Sequence, residues 1–207
     1  PSNCQVALLG YNAATSIPQD VIPKQRLCEL LINRVEFEQF YGELRVKNGK
    51  RAVSTTRKRL GLIREAFSGY RVIETNLNAW PTKDLNQLRR LSAEQFETGS
   101  ATARWVGMLM KPDILIAYGN EFSNLESISN FCDFSVESEV EKIHQFVDYY
   151  SVAYCNGRKV EFACITKHLS ARTTGTTDIL FSSIGQIIRA RFDSTPVDPV
   201  ESSSPLA

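Results

Sequence analysis

Three short apolar runs constrain the fold most, because each is closed by a glycine or a polar loop and segments of helical spacing separate them. They are CQVALLG over Cys4–Gly10, YRVIE over Tyr70–Glu74 and DILIAY over Asp113–Tyr118. Short apolar runs of this kind read as strands buried on both faces. Lys24–Leu44 places Leu27, Leu30, Leu31, Val35, Phe37, Phe40, Tyr41 and Leu44 at helical spacing, and Thr55–Phe67 does the same through Leu60, Ile63 and Phe67. Ser54 or Thr55 is the expected N-cap of that second helix, and the Asn48-Gly49 turn marks the loop before it. Further helices are expected over Ala101–Met110, Val136–Phe146 and Asp178–Phe192, the last with an apolar stripe of Ile179, Leu180, Ile184, Ile187 and Ile188. Tyr149–Cys155 and Lys159–Thr166, joined by Asn156-Gly157, read as a β-hairpin. Strands alternating with helices predict an α/β fold, a three-layer sandwich with a mainly parallel central sheet. One domain is expected over residues 1–193, followed by a disordered Pro/Ser-rich tail over 194–207.

Composition narrows the function classes. No apolar run approaches the roughly 20 residues of a membrane helix, and VALLG follows the N-terminus with no basic leader. An intracellular location without membrane contact is therefore expected. The five cysteines are odd in number, widely spaced and free of any CxxC pattern. Five buried small hydrophobes in a reducing compartment are expected, with no metal or iron–sulfur cofactor. No Gly-x-Gly-x-x-Gly or P-loop follows a strand, so a nucleotide-binding domain is set aside.

The formal net charge is only +1, yet it hides two opposed segments. Residues 45–64 hold Arg45, Lys47, Lys50, Arg51, Arg57, Lys58, Arg59 and Arg64 with no acid, a net of +8; residues 121–148 carry seven acids against Lys142, a net of −6. A basic stretch in a neutral chain reads either as a one-sided polyanion-binding face or as a solvated loop and helix face.

In α/β sheets, ligands sit outside the carboxyl ends of the strands. The segments leaving those ends are GYNAATS, TNLNAWPTK, YGNEF and TKHLSARTTG, all rich in amide, hydroxyl or basic groups. In this order the four loops resemble the uracil-DNA glycosylase superfamily. Gly10-Tyr11-Asn12-Ala13-Ala14 resembles its first motif. Thr75-Asn76-Leu77-Asn78 with Pro81 resembles its base-reading segment. Lys111-Pro112-Asp113 through Gly119 is similar to its lysine-proline strand, and His168-Leu169-Ser170-Ala171-Arg172 to its His-Pro-Ser motif. The resemblance runs from about Val6 to Phe192. Ala13 and Leu169 stand where the family often has proline, and no aromatic follows Asn12 in SIPQDVIP. The four cysteines of the iron–sulfur subfamilies are absent.

The resemblance implies a monofunctional, metal-free glycosylase acting on DNA as a monomer, associated with the nucleoid when it acts. It flips a base, hydrolyses the N-glycosidic bond and leaves an abasic site. The residue types suit that chemistry, which needs a positioned water and donors aimed at the departing base. Asn12 holds a water through its amide oxygen, or else is a turn residue at a strand exit. His168 donates to the base carbonyl, or else is a surface histidine; His144 is read as structural. Asn76, with Asn78 as second choice, reads a base edge, or else both serve Asx turns before Pro81. Tyr11 lies beside Asn12 in the base-binding motif. Ser16, Lys167 and Ser170 suit phosphate contacts, and Arg172 is either the wedge that fills the vacated stack or a surface cation. Arg57, Lys58 and Arg59 of the basic stretch add sequence-independent affinity. Trp80 is assigned to the core.

Two substrate readings follow: uracil or another aberrant base in repair, or a bulky modified pyrimidine of phage DNA, such as glucosylated hydroxymethylcytosine. The second is motivated by the missing aromatic and the replaced prolines. A third reading keeps the fold as a nucleic-acid-binding module without chemistry.

Overall fold

A computed structural model describes residues 5–12, 22–78, 85–109, 111–119, 125, 128, 132–167, 169–170 and 177–195. Strand β1 (Gln5–Asn12) is followed by helices α1 (Lys24–Ile32), α2 (Arg34–Lys47) and α3 (Thr55–Ala66). Then come β2 (Arg71–Asn78), α4 (Leu85–Leu88), α5 (Ala93–Leu109) and β3 (Ile114–Tyr118). Strands β4 (Phe134–Val136), β5 (Glu141–His144), β6 (Val147–Cys155) and β7 (Arg158–Ile165) precede the long helix α6 (Thr177–Ser194).

The apolar runs form the centre of a seven-stranded sheet ordered β2-β1-β3-β7-β6-β4, with β5 also pairing β6. Val6, Ala7, Leu8 and Leu9 are all 0 % exposed because both faces of β1 are covered. Successive side chains point to opposite faces. Ala7 and Leu9 therefore pack, with Leu115 and Ala117, toward Ala103 of α5, whereas Val6 and Leu8 pack toward Leu60 and Ile63 of α3 and Phe181, Ile184 and Ile188 of α6. Helices α3 and α6 lie against each other on that second face. Their approach is close at Gly185, where an added Cβ would fall 2.9 Å from Ala66 Cβ and 3.1 Å from Ile63 Cα.

The sheet is mixed rather than mainly parallel. Strands β2, β1, β3 and β7 run parallel to their neighbours, while β6 is antiparallel to β7, β4 and β5. The expected hairpin forms: Asn156 and Gly157 take φ of 52° and 73°, as a two-residue primed turn requires. The expected helix over Val136–Phe146 does not form. Its residues make β4 and β5, with Glu141 opposite Tyr149 and a Lys142–Asp148 ion pair at 3.1 Å. Cross-strand pairing with β6 outweighs the helix propensity of an acidic segment. His144 closes the tight turn there, its Nδ1 accepting from Phe146 N–H at 3.2 Å.

Other differences are local. The Lys24–Leu44 helix breaks at Asn33, whose side chain caps α2 by accepting from Glu36 N–H. Ser54 caps α3 in the same way, accepting from Arg57 N–H at 3.1 Å. Helix α5 starts at Ala93 rather than Ala101. On α6, Ile179 is 65 % exposed and Phe181 takes its expected place in the core. Cys132, Cys155 and Cys164 are buried, but Cys28 is exposed, contrary to the expectation of five buried thiols; Cys4 lies outside the described residues. Helix α6 runs to Ser194, one residue into the expected tail, whose residues 196–207 also lie outside them. Among the described residues no helix is long and apolar enough to cross a membrane.

Candidate functional site

The parallel register fixes where the four polar segments emerge. Gly10 and Asn12 lie opposite Asn76 and Asn78, Leu9 opposite Ala117, and Tyr118 opposite Ile165. The ends of β1, β2, β3 and β7 therefore share one edge of the sheet, and Gly119 N–H closes it by donating to Ile165 O at 3.0 Å.

Three residues meet at this edge. A Cβ on Gly10 would fall 2.5 Å from Tyr118 Oη and 2.6 Å from Asn76 Oδ1. Glycine is thus required at position 10 because a phenol and an amide occupy the space over its Cα. Burial pushes the Tyr118 hydroxyl up to about 12, the Glu74 charge adds to the shift and Arg57 opposes it. The phenol is neutral at physiological pH and serves as a donor. Behind it, Glu74 pairs with Arg57 and, at 3.6 Å, with Arg64.

Asn78 sits apart from this group. Its side chain is buried against α5, with Nδ2 donating to Phe96 O at 3.4 Å and Ser100 Oγ at 3.5 Å. Of the two asparagines weighed for base reading, the structure brings Asn76 to Gly10 and Tyr118, and packs Asn78 on a helix.

Helices α3 and α6 bring their N-termini to the same edge. Lys58 reaches Asp178 in the first turn of α6 at 2.5 Å and holds that carboxyl below its usual range. Arg59 is only 6 % exposed; its guanidinium donates to Leu169 O, approaches Asp178 at 3.7 Å and lies 5.0 Å from the Phe181 ring centre. The expected surface role of Arg59 gives way to an interior one: it ties the loop after β7 to both helices. Arg57 and Lys58 keep exposed side chains, at 52 % and 62 %.

On the loop after β7, Leu169 is buried and Ser170 exposed. The Lys167 ammonium lies 4.0 Å from the Phe146 ring centre, a cation–π contact. Asn12 ends β1 with its backbone in register with Asn78. The side chains of Tyr11 and Asn12, and all of Ser16, Trp80, His168 and Arg172, lie outside the described residues. Sequence reasoning missed Tyr118 and Glu74. The signal was available: a hydroxyl-bearing aromatic and a carboxylate near the exits of buried strands.

Among the described residues, no three His, Cys, Asp or Glu side chains are grouped to hold a metal ion. Comparison with known protein families, with curated proteins and with solved structures finds no match to this chain.

Proposed function

We propose that the chain is a DNA glycosylase of the uracil-DNA glycosylase type, hydrolysing the bond between a flipped base and its sugar. The observation that carries this reading is the shared edge: the segments after β1, β2, β3 and β7 leave one side of the sheet, in the order of the resemblance. The parallel half of the sheet, with α3 and α6 on one face and α5 on the other, supports a three-layer glycosylase-like sandwich.

In this reading the flipped base enters between the strand exits. Asn76 and the neutral Tyr118 hydroxyl read its polar edge beside Gly10, with Tyr11 next to them. Asn12 positions the attacking water, and His168 donates to the base oxygen as negative charge grows there. Ser16, Lys167 and Ser170 hold phosphates, Arg172 fills the vacated stack, and Arg57 and Lys58 add long-range attraction. Asn78 holds β2 to α5 and so positions Asn76. The protein acts as a monomer, inside the cell and on the nucleoid. Its substrate is uracil or another aberrant base; the loop lacking an aromatic after Asn12 also suits a bulky modified pyrimidine of phage DNA.

The test is incubation with DNAs carrying uracil, hypoxanthine or glucosylated hydroxymethylcytosine, followed by alkaline cleavage at abasic sites. Cleavage with at least one base is expected. DNA binding without abasic product from any base would leave a binding module instead.

A further inference from the structure

The eight cations of residues 45–64 divide into two groups. On α3, Arg57 and Arg64 pair with Glu74, and Lys58 and Arg59 with Asp178. Around the end of α2, Arg45, Lys47, Lys50 and Arg51 have no acidic partner among the described residues, and all but Arg45 are exposed. The nearest preceding carboxylate, Glu43, accepts instead from Gln39 Nε2 at 3.1 Å.

This second group is held in place. Asn48 Nδ2 donates to Leu44 O at 2.9 Å, Lys50 N–H to Arg45 O at 2.9 Å, and Arg45 Nε to Arg51 O at 2.8 Å, with Gly49 at a φ of 68°. Four like charges fixed in seven residues repel one another, and an anionic partner relieves that repulsion. One and two turns back along α2, Phe37 and Tyr41 stack with ring centres 5.8 Å apart and planes 6° from parallel. The turn leads directly into the N-terminus of α3, the end of that helix beside the candidate site.

We propose that the α2–α3 turn is a contact surface for a nucleic-acid strand, its cations on the phosphates and the Phe37–Tyr41 pair alongside the bases. Cations combined with an aromatic platform suit a nucleic acid, whose every base has a stacking face. The proposal rests on the reading of nucleic acid as the partner, and places the main backbone contact on the turn rather than on α3.

The experiment measures binding to a fluorescein-labelled DNA duplex from about 50 to 300 mM salt, with a melting curve and a base-excision assay on each sample. Replacing Arg45, Lys47, Lys50 and Arg51 together by Gln is expected to lower the slope of log K against log salt by about 3, near 0.9 per lost phosphate contact. Lys47→Gln with Lys50→Gln removes no hydrogen bond of the turn, and is expected to lower the slope by about 1.5 at unchanged melting temperature. Arg57→Gln with Lys58→Gln, whose charges Glu74 and Asp178 already offset, is expected to lower it by less than about 1. Unchanged slopes in both turn variants overturn the surface, as does a larger drop in the α3 variant. Failure of wild type to bind DNA, with turn-dependent binding to phosphatidylserine-containing vesicles, also overturns it and makes the turn a membrane contact. Excision with an unchanged slope keeps the enzyme and removes the surface; turn-dependent binding without excision of any base keeps the surface and removes the enzyme.

Discussion

Two polar clusters lie under the two ends of helix α6, on the same face of the sheet, and differ in how their charge is compensated. At the N-terminal end, Asp178 meets Lys58 and Arg59, and Glu74 meets Arg57 and Arg64, so each carboxylate faces two cations. At the C-terminal end, Glu161 of β7 accepts from Tyr149 Oη and, at 3.2 Å, from Thr195 Oγ1. The nearby Arg191 sends its Nε to Glu141 at 2.8 Å and an NH1 to Thr195 at 2.9 Å, and lies 5.2 Å from the Tyr149 ring centre. Burial therefore prevails at Glu161 and pushes its carboxyl up to about 7, against the opposing effects of Thr195 and Arg191. One cluster keeps its ionic form across the neutral range. The other changes protonation within it. The candidate site belongs to the compensated end, where a recognition surface keeps the same charge at any working pH.

The comparison is broken most severely by Gly185→Ala, midway along α6. Its Cβ meets Ala66 and the Ile63 backbone at 2.9–3.2 Å, so α3 and α6 must separate and both clusters lose their geometry. A loss of about 3 kcal/mol in unfolding free energy is expected, the upper end for overpacking; denaturant unfolding measures it, and a loss below about 1 kcal/mol would show that the helix pair adjusts freely. Gly10→Ala acts on the N-terminal end alone. It displaces the Tyr118 hydroxyl and the Asn76 amide, which are ends of side chains, so about 1–2 kcal/mol of stability is expected to go. A loss of excision much larger than that stability change is expected with it, measured as single-turnover rate.

Glu161→Gln acts on the other end and sharpens the contrast. The folded carboxyl titrates near 7 and the unfolded one near 4.5. The protonated form is thus favoured by folding. Stability is fullest below about pH 4.5, falls as pH rises through about 7, and is level above. Allowing for partial solvent exposure, the fall is about 1–2 kcal/mol. Unfolding measured across that window should lose most of its slope in the variant, and an equal slope in both proteins would assign the titration to another group.

Much of the fold was legible because the strands that position the site are buried on both faces. Val6–Leu9 and Ile114–Ala117 read as continuous apolar runs for that reason, and the Asn-Gly turn announced the hairpin. The segment over Val136–Phe146 was misread because its strand identity lies in its partner: only pairing with β6 turns an acidic amphipathic pattern into β4 and β5. The candidate site was legible as loops but not as contacts. Sequence ranks Asn76 above Asn78 only weakly, whereas α5 takes Asn78 and Gly10 admits Asn76 and Tyr118. Likewise +8 over residues 45–64 says nothing of which cations are offset, because Glu74 and Asp178 come from distant segments.

The central claim is that the shared strand edge excises a base, with water held by Asn12. Its most direct test is single-turnover excision and DNA affinity measured together for wild type and Asn12→Ala, on whichever base of the panel wild type removes. The account predicts a rate loss of roughly 30- to 1,000-fold, about 2–4 kcal/mol in the transition state, at nearly unchanged affinity. Equal rates in the two proteins, or no abasic product from wild type with any base, would contradict it.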